Sequence, residues 1–266
     1  MNVALIQFKS AGKKYFFSYE GLPLNHNDQV VVETTRGIEV GKVYAFKDVE
    51  ASDLIAELKP ILRIATPEDI KENDYNASLE PAVVEKTKGL AHKNELDIKI
   101  LNAEYTLDRK RLVVYFESEN RVDFRNLVKD LSDYYHTRIE LRQVGPRDAA
   151  KMVGGIGPCG LLLCCSTFIG EFDTVSIKMA KNQNIALNPQ KISGVCGKLL
   201  CCIKYEDDLY TEYRQLMPKY GDIVESEKGI GTVTDTNIIA QKVKVHYKET
   251  SEYVWTKLSE IKIKST

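Results

Sequence analysis

The 266-residue sequence lacks several features that would place it in a specialised class of protein. No apolar run approaches the roughly 20 residues that a membrane-spanning helix needs, and the first residues do not follow the pattern of a signal peptide. The net charge of −1 gives no overall indication of nucleic-acid binding. No Cys-x-x-Cys pair, the usual motif of thiol redox proteins, is present. We therefore expect a cytoplasmic protein with reduced thiols and no segment inserted in a membrane.

Cysteine is missing from most of the chain and occurs only in two copies of one motif. The first copy, residues 157–165, reads Gly-Pro-Cys-Gly-Leu-Leu-Leu-Cys-Cys, and the second, residues 194–202, reads Gly-Val-Cys-Gly-Lys-Leu-Leu-Cys-Cys. The copies lie 37 residues apart and agree at seven of nine positions. Cysteines that only filled a core would be scattered, so the repeat indicates a thiolate site for a metal ion or metal cluster.

Four uses of these cysteines compete. Disulfides are disfavoured, because adjacent cysteines have Cα atoms about 3.8 Å apart and disulfides prefer roughly 4.4–6.8 Å. Zinc remains an alternative, although a Cys-x₄-Cys-Cys motif lies at the edge of the spacing that zinc sites use. Redox or nucleophilic chemistry is disfavoured, because no histidine or aspartate that could act as a base lies close to either cysteine doublet in the sequence.

An iron–sulfur cluster is the fourth use, and it suits cysteines on glycine-containing loops. All six cysteines are candidate ligands: Cys159, Cys164, Cys165, Cys196, Cys201 and Cys202. Six thiolates allow one four-cysteine site with two to spare, or two three-cysteine sites that each need a ligand from a partner. The sequence therefore predicts one or two clusters and, if the shells are incomplete, an obligate complex.

Hydrophobic periodicity and turn residues predict an α+β protein of four segments. Residues 1–56 form an N-terminal β-rich region, and residues 57–152 follow the β-α-β-β-α-β order of a ferredoxin-like unit. Residues 153–205 form the appended cysteine segment. Residues 206–266 are expected to contain a linker helix and a small SH3-like β-barrel.

Within these segments, several local signals can be checked against the structure. The first strand of the ferredoxin-like unit is expected within 58–64, and Thr66-Pro67-Glu68-Asp69 predicts the start of a helix that runs to about Lys93, kinked or broken at Pro81. Asp123 is expected to cap a second helix. The pattern Asp28-x-Val, Arg-Gly, Gly-x-Val has a weak parallel near the other end of the chain, where Asp222-x-Val, Lys-Gly, Gly-x-Val follow in the same order.

Charge and apolar side chains yield further predictions. Residues 151 to 205 contain six lysines and two acidic residues, which gives this segment a net charge of +4. Such a charge is typical either of a solvated face or of the surroundings of an anionic cluster. Arg138, Glu140 and Arg142 alternate on a strand and form either a solvated face or a docking surface for a helical partner. Core positions are predicted for the following residues: Leu162, Leu163, Leu199, Leu200, Phe124, Tyr134, Tyr135 and Trp255.

Long motifs in this sequence resemble the YaaT/RicT family, the bacterial group with the PSP C-terminal domain. Those that carry the resemblance begin at Arg121 (Arg-Val-Asp-Phe-Arg), Thr137 (Thr-Arg-Ile-Glu-Leu-Arg-Gln-Val-Gly), Gly154 (Gly-Gly-Ile-Gly-Pro-Cys-Gly), Cys164 (Cys-Cys-Ser-Thr-Phe), Val175 (Val-Ser-Ile-Lys-Met-Ala-Lys-Asn-Gln), Leu187 (Leu-Asn-Pro-Gln-Lys-Ile-Ser-Gly) and Cys196 (Cys-Gly-Lys-Leu-Leu-Cys-Cys). The resemblance covers nearly the whole chain and is densest from 97 to 205.

The resemblance implies a non-catalytic regulatory subunit that assembles with two small helical proteins, YlbF/RicF-like and YmcA/RicA-like. Such a complex carries [4Fe–4S] clusters and engages RNase Y, so it influences mRNA processing and, through it, sporulation, competence and biofilm formation. Contact with RNA is expected to be indirect. The six cysteines of this chain occupy the positions of the cluster ligands.

Two other functions stay open at this point. The lysine-rich segment and the β-rich ends also fit a zinc-stabilised nucleic-acid-binding module. The cysteine doublets fit a thiol redox enzyme, which would turn over a disulfide substrate.

Overall fold

The structure is a computed structural model that describes residues 2–9, 11–19, 21–49 and 58–264. The strands are β1 Asn2–Gln7, β2 Lys14–Ser18, β3 Gln29–Glu33, β4 Ile38–Asp48, β5 Ile61–Ile64, β6 Lys99–Tyr105, β7 Arg111–Glu117, β8 Arg138–Gln143, β9 Ile223–Ser226, β10 Gly229–Asn237, β11 Lys242–Tyr247, β12 Glu252–Lys257 and β13 Lys262–Lys264. The helices are α1 Pro67–Lys93, α2 Arg125–Tyr135, α3 Pro146–Val153, α4 Cys164–Thr167, α5 Ile177–Asn182, α6 Pro189–Ile192 and α7 Cys201–Leu216. This composition confirms the predicted α+β class.

The first five strands form an antiparallel sheet in the order β2-β1-β4-β3-β5. Alternation along these strands places one set of side chains in a core of Ala4, Ile6, Phe17, Val30, Val32, Val43 and Ile61. The predicted β-rich N-terminal region is therefore present. Its expected boundary at residue 56 lies outside the described residues.

The predicted ferredoxin-like unit does not form as a single sheet. Strand β5, expected as its first strand, pairs instead with β3, where Val30 lies opposite Ile64 and Val32 opposite Ile61. The central sheet has three strands in the order β6-β7-β8, and β8 runs parallel to β7 after the crossover helix α2. Strand β7 is thus paired on both edges, with β6 and β8. Strand β3, whose valines are buried, is also paired on both edges, with β4 and β5.

Helix α1 begins at the capping box that the sequence predicts. The backbone N–H of Asp69 donates to Thr66 Oγ1 at 3.3 Å, and the backbone N–H of Thr66 donates to Asp69 Oδ2 at 2.8 Å. The helix ends at Lys93, as expected, and Pro81 does not break it. Asp123, predicted to cap α2, accepts from the backbone N–H of Arg125, the first helical residue, at 3.1 Å, while Phe124 directly precedes the helix without a side-chain hydrogen bond.

Helices α1 and α2 cover one face of the central sheet. Val83 of α1 packs with Leu112, Val114 and Phe116 of β7. Ala91 of α1 joins Leu127 and Leu131 of α2 in an adjoining cluster. Phe124 and Tyr135 pack against these clusters, as predicted, whereas Tyr134 is 57% exposed and is not a core residue.

The last five strands form an antiparallel sheet in the order β12-β11-β10-β9-β13. Val224, Val233, Val243, Val245 and Tyr247 form its core. In the described part of the chain this sheet does not close into the predicted barrel, because β12 and β13 remain its two edges. Trp255 is 45% exposed, so its prediction as a core residue is wrong.

The first and last sheets share one design with the strands in a different chain order. The pairings β3–β4, β4–β1, β1–β2 and β3–β5 correspond to β9–β10, β10–β11, β11–β12 and β9–β13, and all are antiparallel. The two hairpins of the N-terminal sheet thus occur in exchanged chain order in the C-terminal one: β9–β10 corresponds to β3–β4 and β11–β12 to β1–β2, while the fifth strand comes last in both.

The weak sequence echo between the two ends lies in these equivalent hairpins. The carbonyl of Asp28 accepts from the N–H of Val43 at 2.8 Å, and the carbonyl of Asp222 accepts from Val233 at 2.9 Å. In both aspartates, a side-chain oxygen accepts from the backbone N–H three residues earlier at 2.7 Å. The echo therefore marks a repeated local structure.

The chain divides into two compact units, residues 1–172 with 195–198, and residues 173–194 with 199–266. The predicted domain boundaries at 152/153 and 205/206 stay predictions. Among the described helices, none is both long and apolar enough to cross a membrane.

Candidate metal centre

The first cysteine motif is a glycine-shaped loop between α3 and α4. Gly154 ends α3 with φ +74°, and Gly155 follows with φ +130°, a backbone conformation that side chains rarely tolerate. The N–H of Gly157 then donates to the carbonyl of Leu161 at 2.8 Å, which closes a small turn that carries Cys159. Gly160, with φ +80°, completes the turn.

Helix α4 begins at the cysteine doublet. Leu163 lies at φ −57° and ψ 126°, outside the helix, and its N–H donates to the carbonyl of Gly155 at 3.1 Å. Cys164 and Cys165 are the first two helical residues. This geometry places Cys159 within the turn and the doublet two residues after the bridge between Ile156 and Leu162 that closes it.

The second motif repeats this structure as well as the sequence. Its bridge joins Ser193 to Leu199, as Ile156 joins Leu162 in the first copy. The N–H of Leu200 donates to the carbonyl of Ile192 at 2.9 Å, the counterpart, 37 residues on, of the bond from Leu163. Gly197 has φ +72°. Leu200 has φ −56° and ψ 123°, and α7 begins at Cys201, so the predicted linker helix starts five residues earlier than expected.

The six cysteines form no disulfide, and they differ in exposure. Cys159 is exposed, Cys165 is buried, and the other four are partly buried. Cys159, Cys164, Cys165 and Cys196 belong to the first unit, whereas Cys201 and Cys202 belong to the second. The six predicted ligands are therefore divided four to two between the units.

The donor set fits a thiolate-ligated cluster in chemical type, because six reduced thiols lie on glycine-rich loops or at helix starts. The described residues do not complete a shell, however: nowhere among them do three or more Cys, His, Asp or Glu side chains gather so that they could hold a metal ion. The assignment of the six ligands thus stays a prediction.

Lys151 is a charged residue at the first motif that sequence reasoning counted only as part of the basic segment. Its ammonium donates to the carbonyls of Ala11 at 2.5 Å and Gly170 at 3.2 Å. The pKa of Lys151 is lowered, mainly by burial, although the nearby Asp148 carboxylate and Cys165 sulfur act in the opposite direction. The lysine places a positive charge beside Cys165. The sequence signal that could have identified this residue is its position in α3, about one helical turn before the Gly154-Gly155 pair.

The first motif is attached to the loop between β1 and β2. Gly170 approaches the carbonyl of Gly12 so closely that a Cβ on Gly170 would lie 2.8 Å from it. Lys13 forms an ion pair with Glu171 at 2.9 Å. Together with Lys151, these contacts hold the two sides of the motif against one strand connection.

The second motif is supported by a small core of its own. Ala180, Ile192 and Ile203 are buried together, and Leu199 and Leu200 pack against them. The side chain of Gln183 donates to the carbonyl of Ile203 at 2.5 Å, which ties the segment after α5 to the first turn of α7. Leu199 and Leu200 therefore contribute to a core, as predicted.

The leucines of the first motif divide between core and surface. Leu163 is buried, whereas Leu162 is 64% exposed, so its predicted core position is wrong. Four more exposed apolar residues lie around this loop: Val153, Ile156, Leu161 and Phe168. The first motif thus presents a thiol, Cys159, among exposed apolar side chains.

The charged strand β8 does not form a continuous free face. Glu140 pairs with Arg111 at 3.6 Å. Arg138 lines an open cavity of about 450 Å³ together with Arg109, Lys110, Ser132, His136 and Thr137. Both predictions for Arg138, Glu140 and Arg142, a solvated face and a docking surface for a helical partner, stay predictions.

Two family models match the chain: the PSP1 C-terminal conserved region over residues 59–144, and the third domain of PSP1-like proteins over residues 174–217. The stage 0 sporulation protein YaaT of Bacillus subtilis (strain 168) is 44% identical over 265 residues, which cover 97% of this chain and 96% of that protein. The protein PSP1 of Saccharomyces cerevisiae is 36% identical over 120 residues, 35% of this chain and 14% of that protein. An uncharacterized protein of Schizosaccharomyces pombe is 29% identical over 174 residues, 52% of this chain and 22% of that protein. No solved structure matches the chain.

Proposed function

This chain belongs to the YaaT/RicT family, and from that premise we propose that it is a non-catalytic regulatory adaptor that carries [4Fe–4S] clusters within a protein complex. Its partners in the proposal are YlbF/RicF-like and YmcA/RicA-like proteins and the endoribonuclease RNase Y. The complex would direct mRNA processing and thereby influence sporulation, competence and biofilm formation. The near full-length similarity to a sporulation protein supports the regulatory part of this proposal.

The observation that carries the cluster assignment is the structural repeat of the cysteine motif. The bond that closes the first loop, from Leu163 to Gly155, has a counterpart in the second, from Leu200 to Ile192, and the doublet opens a helix in both. Cysteines that served only packing would not need the same loop twice. Cys159, Cys164, Cys165, Cys196, Cys201 and Cys202 are the proposed ligands.

The division of the thiols supports a role in a complex. No three metal-binding side chains are gathered among the described residues, so we expect the partner proteins to order these loops or to supply the missing ligands. The positive charge of Lys151 beside Cys165 would offset the negative charge of such a thiolate centre.

The test is metal and sulfide analysis after anaerobic purification, with the chain alone and with both helical partners. We expect iron and acid-labile sulfide in equal amounts in the complex, and their loss when Cys164→Ser or Cys201→Ser removes the first cysteine of a doublet. Ser193→Ala, a change beside the second motif, is the matched control and should keep the iron. A complex that contains stoichiometric zinc and no sulfide would instead support the alternative, a zinc-stabilised nucleic-acid-binding module.

A further inference from the structure

The outer face of the C-terminal sheet carries an ordered group of basic and aromatic side chains. Strands β11 and β12 pair so that Lys242 lies opposite Lys257, Lys244 opposite Trp255, and His246 opposite Tyr253. The residues between them on β11, including Val243 and Val245, are fully buried in the sheet core. Since side chains alternate across a strand, these three pairs share the opposite, outward face.

Both aromatic rings on this face are open to solvent. Tyr253 is 59% exposed, and Trp255, the single tryptophan of the chain, is 45% exposed. The ring of His246 stacks on Tyr253 with the centroids 4.5 Å apart and the planes 24° from parallel. Lys244 Nζ lies 5.6 Å from the centre of the Tyr253 ring. The rings are thus held in place on a regular strand rather than on a loop.

The charge on the face is positive. Lys242, Lys244 and Lys257 contribute three cations. Within the described residues, two acidic residues lie beside it: Asp235 is the register partner of Lys244 on β10, and the Glu260 carboxylate lies 4.0 Å from the Lys257 ammonium. Neither carboxylate approaches Lys242 in the described ion pairs, so the edge beyond Trp255 keeps an excess of positive charge.

We propose that this Tyr253–Trp255 face binds single-stranded RNA, with bases stacked on the two rings and phosphates held by the lysines. Stacking on aromatic rings within a positive groove is the usual way in which proteins hold single strands without reading their sequence. The two rings occupy alternate positions of one strand, about 7 Å apart along it. That spacing suits the separated bases of an extended strand, whereas neighbouring bases in a duplex stack at about 3.4 Å.

The inference goes beyond the proposed function, in which RNA is reached only through partner proteins. A direct contact would let the adaptor hold a transcript while the nuclease acts. The face contains none of the candidate metal ligands. RNA binding can therefore be measured on the full chain without iron, and its failure would leave the cluster proposal untouched.

The single tryptophan supplies the test, since its fluorescence reports stacking at this face alone. We expect a twelve-residue oligouridylate to quench Trp255 in the full chain at 50 mM salt. A duplex RNA of the same length and a polyglutamate of similar charge should leave the fluorescence unchanged. Quenching by the duplex that equals quenching by the single strand would overturn the proposal.

Substitutions then separate stacking from charge, with binding followed by the anisotropy of a labelled oligouridylate. Trp255→Ala or Tyr253→Ala should weaken binding about fivefold or more, and Trp255→Phe should retain most of it. Tyr220→Ala removes an exposed ring elsewhere in the same unit and should have no effect. Lys242→Gln should reduce the slope of log affinity against log salt by about 0.7, while Lys228→Gln in the β9–β10 turn should not.

The outcomes that would refute the proposal are specific. Binding that is absent at 50 mM salt, or that survives both alanine substitutions, would exclude these rings as the stacking platform. An equal loss in Tyr220→Ala would show that exposure of any ring is sufficient and that the face is not a built site.

Discussion

The guanidinium of Arg36 donates a 2.7 Å hydrogen bond to the phenol oxygen of Tyr115 and so joins the β3–β4 turn to strand β7. The same guanidinium pairs with Glu39 at 2.7 Å and with Glu104 at 3.0 Å, and Tyr115 donates to Glu104 at 2.9 Å. Burial, reinforced by the charge of Glu104, raises the pKa of Tyr115, which keeps the phenol protonated as a donor. This network connects the N-terminal sheet to the central sheet.

Replacing Arg36 by methionine should lower the free energy of unfolding by about 2 kcal/mol, because Glu39 and Glu104 would lose their partner while largely shielded from water. Urea denaturation gives the measurement. Lys88→Met, which removes a well-exposed ion pair with Glu85 on α1, should change it by less than about 1 kcal/mol. Equal effects of the two substitutions would show that the Arg36 network is no more important than a surface pair.

The pH dependence of stability should reflect Glu80. Burial and the neighbouring charge of Glu104 raise the pKa of Glu80 to about 7, against a smaller opposing effect of Lys9. Between its ordinary value of 4.5 and about 7, the folded chain binds more proton at Glu80 than the unfolded chain does. Its contribution to stability therefore falls as the pH rises through this window.

Glu80→Gln tests that sign, because the amide cannot ionise. The variant should be more stable than the parent at pH 8.5, and the difference should shrink toward pH 5.5. Glu85→Gln, an exposed change on the same helix, should leave the pH profile as it is. If the stability of the parent and of the Glu80→Gln variant changed by the same amount between pH 5.5 and 8.5, the assignment to Glu80 would be contradicted.

The equivalence of the two β-sheets can be tested at two glycines. A Cβ on Gly41 would lie 2.3 Å from Ile6 Cγ2, and one on Gly231 would lie 2.3 Å from Val245 Cγ1. Each alanine substitution should cost about 1–3 kcal/mol, because the packed core must shift. Thermal unfolding followed by circular dichroism is the measurement.

Gly89→Ala is the control for both. Gly89 lies inside α1, and nothing within 4 Å would meet a new Cβ there. This substitution should stabilise the chain by about 0.5–1 kcal/mol through helix propensity. If Gly41→Ala and Gly231→Ala were no more destabilising than Gly89→Ala, the close packing around Gly41 and Gly231 would be contradicted.

The cysteines should differ in their structural role when no metal is bound. Cys165→Ser places a hydroxyl at a buried position and should destabilise the chain by about 1–3 kcal/mol. Cys159→Ser, at an exposed position, should change stability by less than about 0.5 kcal/mol. Urea denaturation in the presence of a chelator and a reductant measures the free energy of unfolding of each variant. Equal losses of stability in the two variants would contradict the difference in burial.

Local signals were the ones that the sequence predicted well. The helix start at Thr66, the helix end near Lys93 and the β-strands at both ends of the chain follow from capping, turn chemistry and periodicity. Each depends on residues a few positions apart in the chain, so neighbouring side chains contain the necessary information. The duplicated cysteine loop belongs to the same class, because its glycines determine its backbone.

Pairing between distant strands was predicted less well. Strand β5 has only four residues, and nothing in them distinguishes an edge beside β3 from a place in the central sheet. Leu162 and Trp255 are apolar, yet each lies on the outward side of its element. Their apolar character could not show that these two side chains point outward, because the outward face of an element depends on which neighbouring element packs on its opposite face.

By itself the sequence determined the α+β class, the extent of the long first helix and the two equivalent cysteine loops, because those features arise from interactions between residues close along the chain. Only the tertiary structure decided that β5 joins the first sheet, that the two end sheets are permuted copies of one design, and that four of the six cysteines belong to one unit and two to the other. Those outcomes depend on which buried surfaces meet, and that choice is made by the whole core at once.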